Sequence, residues 1–168
     1  MTPRTIYADN NATTAVAPEV VEAMLPFFKG EYFNPSSMYE RARVTNDALE
    51  DARKLIAKSI GAADASQILF TGCATESNNT ALLGAIRANP GRRHIITSAV
   101  EHPSVYEIGK DLERQGFEIT YRPGDSNGRI DVRSFIRALR PDTLMVSVMH
   151  ANNETGVVFP IEAIAELV

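Results

Sequence analysis

Chemistry in this chain would have to come from three polar stretches, each of which follows an apolar run. The first is Gly72-Cys73-Ala74-Thr75, leading from the strand-like run at 67–71 into a helical pattern that begins near Thr75. A helix start offers free backbone N–H groups and the positive end of the helix dipole, a combination suited to phosphate. Gly72 and Ala74 permit close approach, and the Thr75 hydroxyl adds a donor. The same residue types also read as ordinary helix capping. Glu76 would repel a dianion unless it turns away along the first turn. With no glycine-rich signature and no adjacent lysine, this is not a P-loop.

The second stretch is Val100-Glu101-His102-Pro103-Ser104. Pro103 suits the first turn of a helix, so His102 stands at a strand-to-helix junction. An imidazole there can stack on a planar ligand or handle a proton, or it can be a solvated structural residue. The third is His150-Ala151-Asn152-Asn153-Glu154-Thr155-Gly156, where paired amides offer donors to a ligand oxygen or simply build a turn. A reactive amine is missing. Lys29, Lys54, Lys58 and Lys110 all fall in helical patterns, and none follows a strand end. Cys73 reads as a small packing residue or, at a helix N-terminus, as a mildly activated thiol.

The elements that must position these loops follow from periodicity. Pro18 opens a helix with Val20, Val21, Met24, Leu25 and Phe28 at helical spacing. Asn34-Pro35-Ser36-Ser37 is a loop, and a long helix follows with Ala48, Leu49, Ala52, Leu55, Ile56 and Ile60 on its apolar face and Gly61 at its end. Strand-like runs at 67–71, 94–98, 117–121 and 143–149 then alternate with helical runs at 75–88, 104–115 and 132–139, with a turn at Ser126-Asn127-Gly128. Such alternation predicts an α/β fold: a mostly parallel sheet with helices on both faces. Ligands in open parallel sheets bind beyond the carboxyl ends of the strands, which would bring the three polar loops to one edge. The last residues, Ile164-Ala165-Glu166-Leu167-Val168, form an apolar helical pattern without a cap and read as a point inside a larger fold.

The bulk composition narrows the class. A chain of 168 residues with 44% hydrophobic and 23% charged residues is ordinary for a globular domain. A net charge of −4 gives no basic surface for nucleic acid. No apolar stretch is long enough for a membrane span, and the N-terminus has no signal-peptide core. One cysteine fits a reducing compartment, so a cytoplasmic location is expected. No metal site is expected.

At these residues the chain resembles the cysteine desulfurases of the class V aminotransferase group, in particular the nitrogen-fixation type. The likeness rests on Asp9-Asn10-Asn11-Ala12-Thr13-Thr14, Asn34-Pro35-Ser36-Ser37, Cys73-Ala74-Thr75-Glu76-Ser77, Val100-Glu101-His102-Pro103 and Met149-His150-Ala151-Asn152-Asn153-Glu154-Thr155-Gly156, in the family's order and spacing. It implies a pyridoxal 5'-phosphate enzyme with the aspartate-aminotransferase (fold type I) architecture. Residues 1–15 would be an N-terminal segment of the small domain, and 16–168 the N-terminal half of the large cofactor-binding domain. The implied activity converts L-cysteine to L-alanine and leaves a persulfide on the enzyme. The implied partners are a second copy, as a homodimer, and an iron-sulfur scaffold protein that accepts the sulfur. By the same resemblance Ala74 and Thr75 hold the cofactor phosphate, His102 stacks on the pyridine ring and takes part in proton transfer, and Asn153 bonds the ring's phenolic oxygen.

Parts of the family's pattern do not occur here. The Schiff-base lysine in its Ser-x-His-Lys context, the aspartate and glutamine that hold the ring, and the persulfide cysteine are not in these 168 residues. Tyr39 and Ala42 stand where the family commonly has a histidine and a glycine. The resemblance therefore implies a chain inactive by itself. Two further readings are a non-catalytic binding or assembly module derived from the fold, and another class V enzyme such as a selenocysteine lyase or an aminotransferase.

Overall fold

His94-Ile95-Ile96-Thr97-Ser98 offers no face to water, and all five residues are buried as strand β1 (His94–Ser98). The structure, a computed structural model, describes residues 5–168; residues 1–4 of the expected N-terminal segment lie outside them. The chain divides into two compact units, one up to Phe70 and one from Thr71 to Val168.

The second unit carries the sheet. Helix α3 (Ala74–Ala88) precedes β1, and α4 (Pro103–Arg114), β2 (Glu118–Arg122), α5 (Val132–Ala138), β3 (Thr143–Ser147) and α6 (Ile161–Ala165) follow in turn. The strands lie in the order β2-β1-β3, with both pairings parallel. Residue parity assigns the two faces. Ile95 and Thr97 of β1 and Ile119 of β2 face Leu82 of α3 and Leu112 of α4. Ile96 instead packs into a core with Ile130, Phe135, Phe159 and Ile164, on the side of α5 and α6. Helices thus cover both faces, as the alternation predicts.

The chain leaves β1 towards β2 on one side, then crosses back to place β3 on the other. That reversal is a topological switch point, and in open α/β sheets ligands bind at such a point, here beyond the carboxyl ends of β1 and β3. At the opposite ends of the strands His94, 1% exposed, ties all three together. Its Nδ1 pairs with Thr143 Oγ1 of β3 (2.8 Å) and its Nε2 with Thr120 Oγ1 of β2 (2.9 Å).

Helix α4 seats on β2 by close approach. A Cβ on Gly109 would lie 2.6 Å from the Tyr121 hydroxyl, so any larger residue would force the Tyr121 ring to move. The Tyr121 ring lies 5.3 Å from that of Tyr106, centroid to centroid, and Lys110 Nζ lies 4.5 Å from its centroid.

The first unit holds α1 (Pro18–Lys29) and α2 (Glu40–Ile60), the latter ended by a left-handed Gly61. Pro26 sits inside α1, with Gly30 N and Glu31 N both donating to its carbonyl. Three sequence expectations need correction here. The run at 67–71 is not a strand: Ala65–Gln67 is a 3-10 turn capped by Asp64, and residues 68–70 find no ladder partner among the described residues. A strand exists only where a neighbour supplies the other half of its hydrogen bonds. The described sheet therefore has three strands and not four. Lastly, the apolar faces of α1 and α2 are largely uncovered: Val20, Met24, Phe28, Leu55 and Ile60 are exposed, while Ala42 and Ala57 are buried. Tyr39 precedes α2 and meets the Phe33 ring edge-on at 6.0 Å.

Two outcomes follow for stability. Among the described residues the Tyr121 hydroxyl is buried without a hydrogen-bond partner of good geometry. Gly109→Ala should therefore cost roughly 1–3 kcal/mol through overpacking, and Tyr121→Phe should cost little and restore most of that loss in the double mutant. Urea midpoints of the four proteins check this; a double mutant no better than Gly109→Ala contradicts it. His94 gives the second. Burial, and next the Arg140 charge, lower its pKa below the ordinary 6.5, against smaller opposite effects of Asp142 and Glu118. A depressed folded pKa means the unfolded state binds the proton more readily. The His94 contribution is thus complete above about pH 6.5 and is lost as pH falls through the lower folded value. The difference in unfolding free energy between the wild type and His94→Asn should shrink from pH 7.5 to pH 5; a constant difference contradicts the assignment.

Candidate functional site

Because β1 and β3 run parallel, the loops that leave them emerge at the same edge. Beyond β1 come Ala99, Val100 and Glu101, and then His102 as the N-cap of α4. Beyond β3 come Val148 to Phe159, carrying Asn152 and Asn153. Past the end of their ladder at Thr97 and Ser147, the two segments are joined by side chains. Glu101 Oε1 accepts from Met149 N at 2.8 Å and from Ser98 Oγ at 2.9 Å. Asn152 Nδ2 donates back to Val100 O at 3.0 Å.

Asn152 also shapes its own loop. Its Oδ1 accepts from Glu154 N, Thr155 N and Thr155 Oγ1 at 2.9–3.1 Å. Gly156 closes the turn with φ at 72°, a conformation costly for residues with a Cβ, and its N–H returns to Asn152 O. This leaves Asn153 exposed at the tip, with Nδ2 donating to Glu154 Oε1 at 2.8 Å.

His102 is exposed, and its ring is oriented by Ser104. Nδ1 accepts from Ser104 N at 3.0 Å and pairs with Ser104 Oγ at 2.8 Å. A backbone N–H can only donate, so Nδ1 carries no proton and the neutral ring bears its hydrogen on Nε2. The outer nitrogen is thereby set up as the donor. Ser104 Oγ also accepts from Asn78 Nδ2 of α3 at 2.8 Å, which ties the first turns of α3 and α4 together at this edge.

At the start of α3 the cap residue Cys73 makes no side-chain cap hydrogen bond. The first backbone N–H groups of the helix, from Ala74 and Thr75 onward, have no intrahelical acceptor, and Thr75 is exposed. Glu76 does not run away along the helix: its Oε2 folds back over the helix start and takes Gly72 N at 2.6 Å. The carboxylate occupies the Gly72 N–H, and the donors the loop retains for an anion are the N–H groups of Ala74 and Thr75. A groove of about 550 Å³ between α3 and α4 also reaches Thr75, but Glu107 and Asp111 line it, so the helix end itself is the better anion position. This donor set, open helix N–H groups, a ring nitrogen bearing hydrogen and an amide on a fixed turn, suits a planar anionic ligand with acceptor oxygens.

Lys110, the one lysine of the second unit, lies in the body of α4. Lys54 and Lys110 are held protonated, their pKa values raised above the usual lysine range chiefly by hydrogen bonds to Asp51 and Glu113. A protonated amine is no nucleophile. Among the described residues no group of His, Cys, Asp and Glu is arranged to hold a metal ion. Sequence reasoning did not single out Ser98, Glu101, Asn152 or Ser104 as supports of the site; their contacts depend on which strands become neighbours.

Nearly the whole chain matches known proteins. A family model described as aminotransferase class-V matches residues 6–168. Cysteine desulfurase 2 of Trichormus variabilis is 50% identical over 159 residues, covering 95% of this chain and 40% of that protein. Cysteine desulfurase NifS of Azotobacter vinelandii is 46% identical, over 96% of this chain and 40% of that protein. The chain therefore spans about 40% of the length of these curated relatives. Among solved structures, a NifS-like protein superposes with a TM-score of 0.92 at 39% identity over 95% of this chain and 44% of its own. SspA in complex with cysteine superposes with a TM-score of 0.93 at 38% identity, over 97% of this chain and 47% of its own.

Proposed function

The chain belongs to the aminotransferase class-V family, and from that premise we propose that it is the cofactor-anchoring part of a pyridoxal-phosphate-dependent cysteine desulfurase. The enzyme would act on L-cysteine, passing its sulfur to an enzyme cysteine and leaving L-alanine. When bound, pyridoxal phosphate supplies the electron-withdrawing ring that such chemistry needs. In this reading Ala74 N, Thr75 N and Thr75 Oγ1 hold the phosphate, with the α3 dipole adding to the attraction. His102 lies against the ring with hydrogen on Nε2, and Asn153 donates its amide to the phenolic oxygen. The lysine and cysteine that would carry covalent steps are not among these 168 residues, so this chain alone binds cofactor without turnover. A homodimer, a scaffold protein that takes up the sulfur for iron-sulfur clusters, a cytoplasmic location and a role in nitrogen fixation complete the reading. The division into an N-terminal small-domain segment, 1–15, and the first half of the large domain, 16–168, belongs to it too. Among the described residues no helix is long and apolar enough to cross a membrane.

The observation that carries this reading is the meeting of an α3 N-terminus with unpaired donors, His102 and the Asn153 turn at one sheet edge. A binding titration tests it. Pyridoxal phosphate should bind the chain well above pyridoxal, which lacks the phosphate. Thr75→Val should weaken pyridoxal phosphate by about tenfold or more, the loss of a hydrogen bond to a charged group, and leave pyridoxal unchanged. Equal affinity for the two compounds, or an indifferent Thr75→Val, overturns it.

A further inference from the structure

We propose that Glu101 is a positioning residue: its carboxylate fixes the distance between the loop that bears His102 and the loop that bears Asn153. The proposal rests on the cofactor reading above for its purpose, but on independent observations for its geometry. The parallel ladder between β1 and β3 has its last partners at Thr97 and Ser147. Beyond that point nothing in the backbone pairing stops the two segments from diverging. Glu101 lies one residue before His102, and its Oε1 captures the N–H of Met149, 48 residues away in sequence. The same oxygen is held in place by Ser98 Oγ, the last side chain of β1.

The bridge is doubled. Asn152 Nδ2 returns to Val100 O, so each loop sends one side chain to the backbone of the other. Two crossed bonds resist both separation and sliding, whereas a single bond permits rotation. Asn152 simultaneously shapes the turn that presents Asn153, so any displacement of Met149 passes directly to that amide.

The choice of glutamate is informative. Among the described residues Glu101 forms no salt bridge, and burial raises its carboxyl pKa against the opposing effect of the bonds from Met149 and Ser98. A half-buried carboxylate with no cation is retained at a cost, and what it obtains is a strong acceptor for two donors at once. Its role is thus that of acceptor, not of acid, base or counter-ion.

Three variants of the full chain test this, read by amide and imidazole NMR and by pyridoxal phosphate titration. In Glu101→Ala the resonances of Met149, Asn153 and the His102 ring should shift or broaden together, while those of the Asp125–Gly128 turn stay in place. Affinity for pyridoxal phosphate should fall by roughly 10- to 100-fold, the cost of a small misplacement in a preorganised site. Glu101→Gln keeps the acceptor oxygen and should resemble the wild type in both measurements. If Glu101→Ala does not fold, Glu101→Asp replaces it: one methylene shorter, it keeps the charge but cannot span to Met149, and it should show the same joint shifts. Resonances of Asn153 that stay unmoved in Glu101→Ala, or in Glu101→Asp where the alanine variant does not fold, overturn the proposal. So does a Glu101→Gln variant as perturbed as the alanine one. If the wild type fails to bind pyridoxal phosphate, the functional reading falls, and the NMR arm still decides whether Glu101 couples the loops.

Discussion

A parallel strand hydrogen-bonded on both sides cannot slide without carrying its neighbours, and β1 is held in this way from His94 to Thr97. It is also pinned at both ends. At its start His94 bridges hydroxyls on β2 and β3. Just past its end Glu101 and Asn152 cross between its loop and that of β3. The positions of His102 and Asn153 are consequences of this clamped strand, because each sits within a few residues of a clamp.

Helix α4 transmits the same constraint in a second direction. Its N-cap is His102, and its body seats on β2 through the contact of Gly109 with Tyr121. The Asn78–Ser104 bond then brings the start of α3, with its open N–H groups, to the same edge. The start of α3, His102 and Asn153 are thereby positioned by one strand and one helix. The rest of the second unit, from Ile130 to Ile164, provides the core that keeps the opposite face of β1 dry.

Much of this was legible in local pattern. The alternation of apolar runs located β1, β2, β3 and the helices between them to within a few residues, because burial on both faces leaves a continuous apolar signature. The polar loops were legible as strand-end loops for the same reason. What local pattern could not show was partnership. Residues 67–71 have strand-like composition but no ladder neighbour among the described residues. Leu55 and Ile60 have helical spacing, but spacing does not say what covers a face. Glu101 reads as one more charge in a loop until a segment 48 residues away is brought beside it. Glu76 is similar: its charge argued against an anion, and only the bond to Gly72 N shows where that charge goes.

The central claim is that one sheet edge assembles a phosphate cradle, an oriented histidine and a presented amide into a single site. A residue-resolved NMR titration of the chain with pyridoxal phosphate tests it most directly. The amides of Ala74 and Thr75, the imidazole of His102 and the side-chain amide of Asn153 should move together along one saturation curve. Separate curves for the three loops, or shifts confined to residues away from this edge, would contradict it.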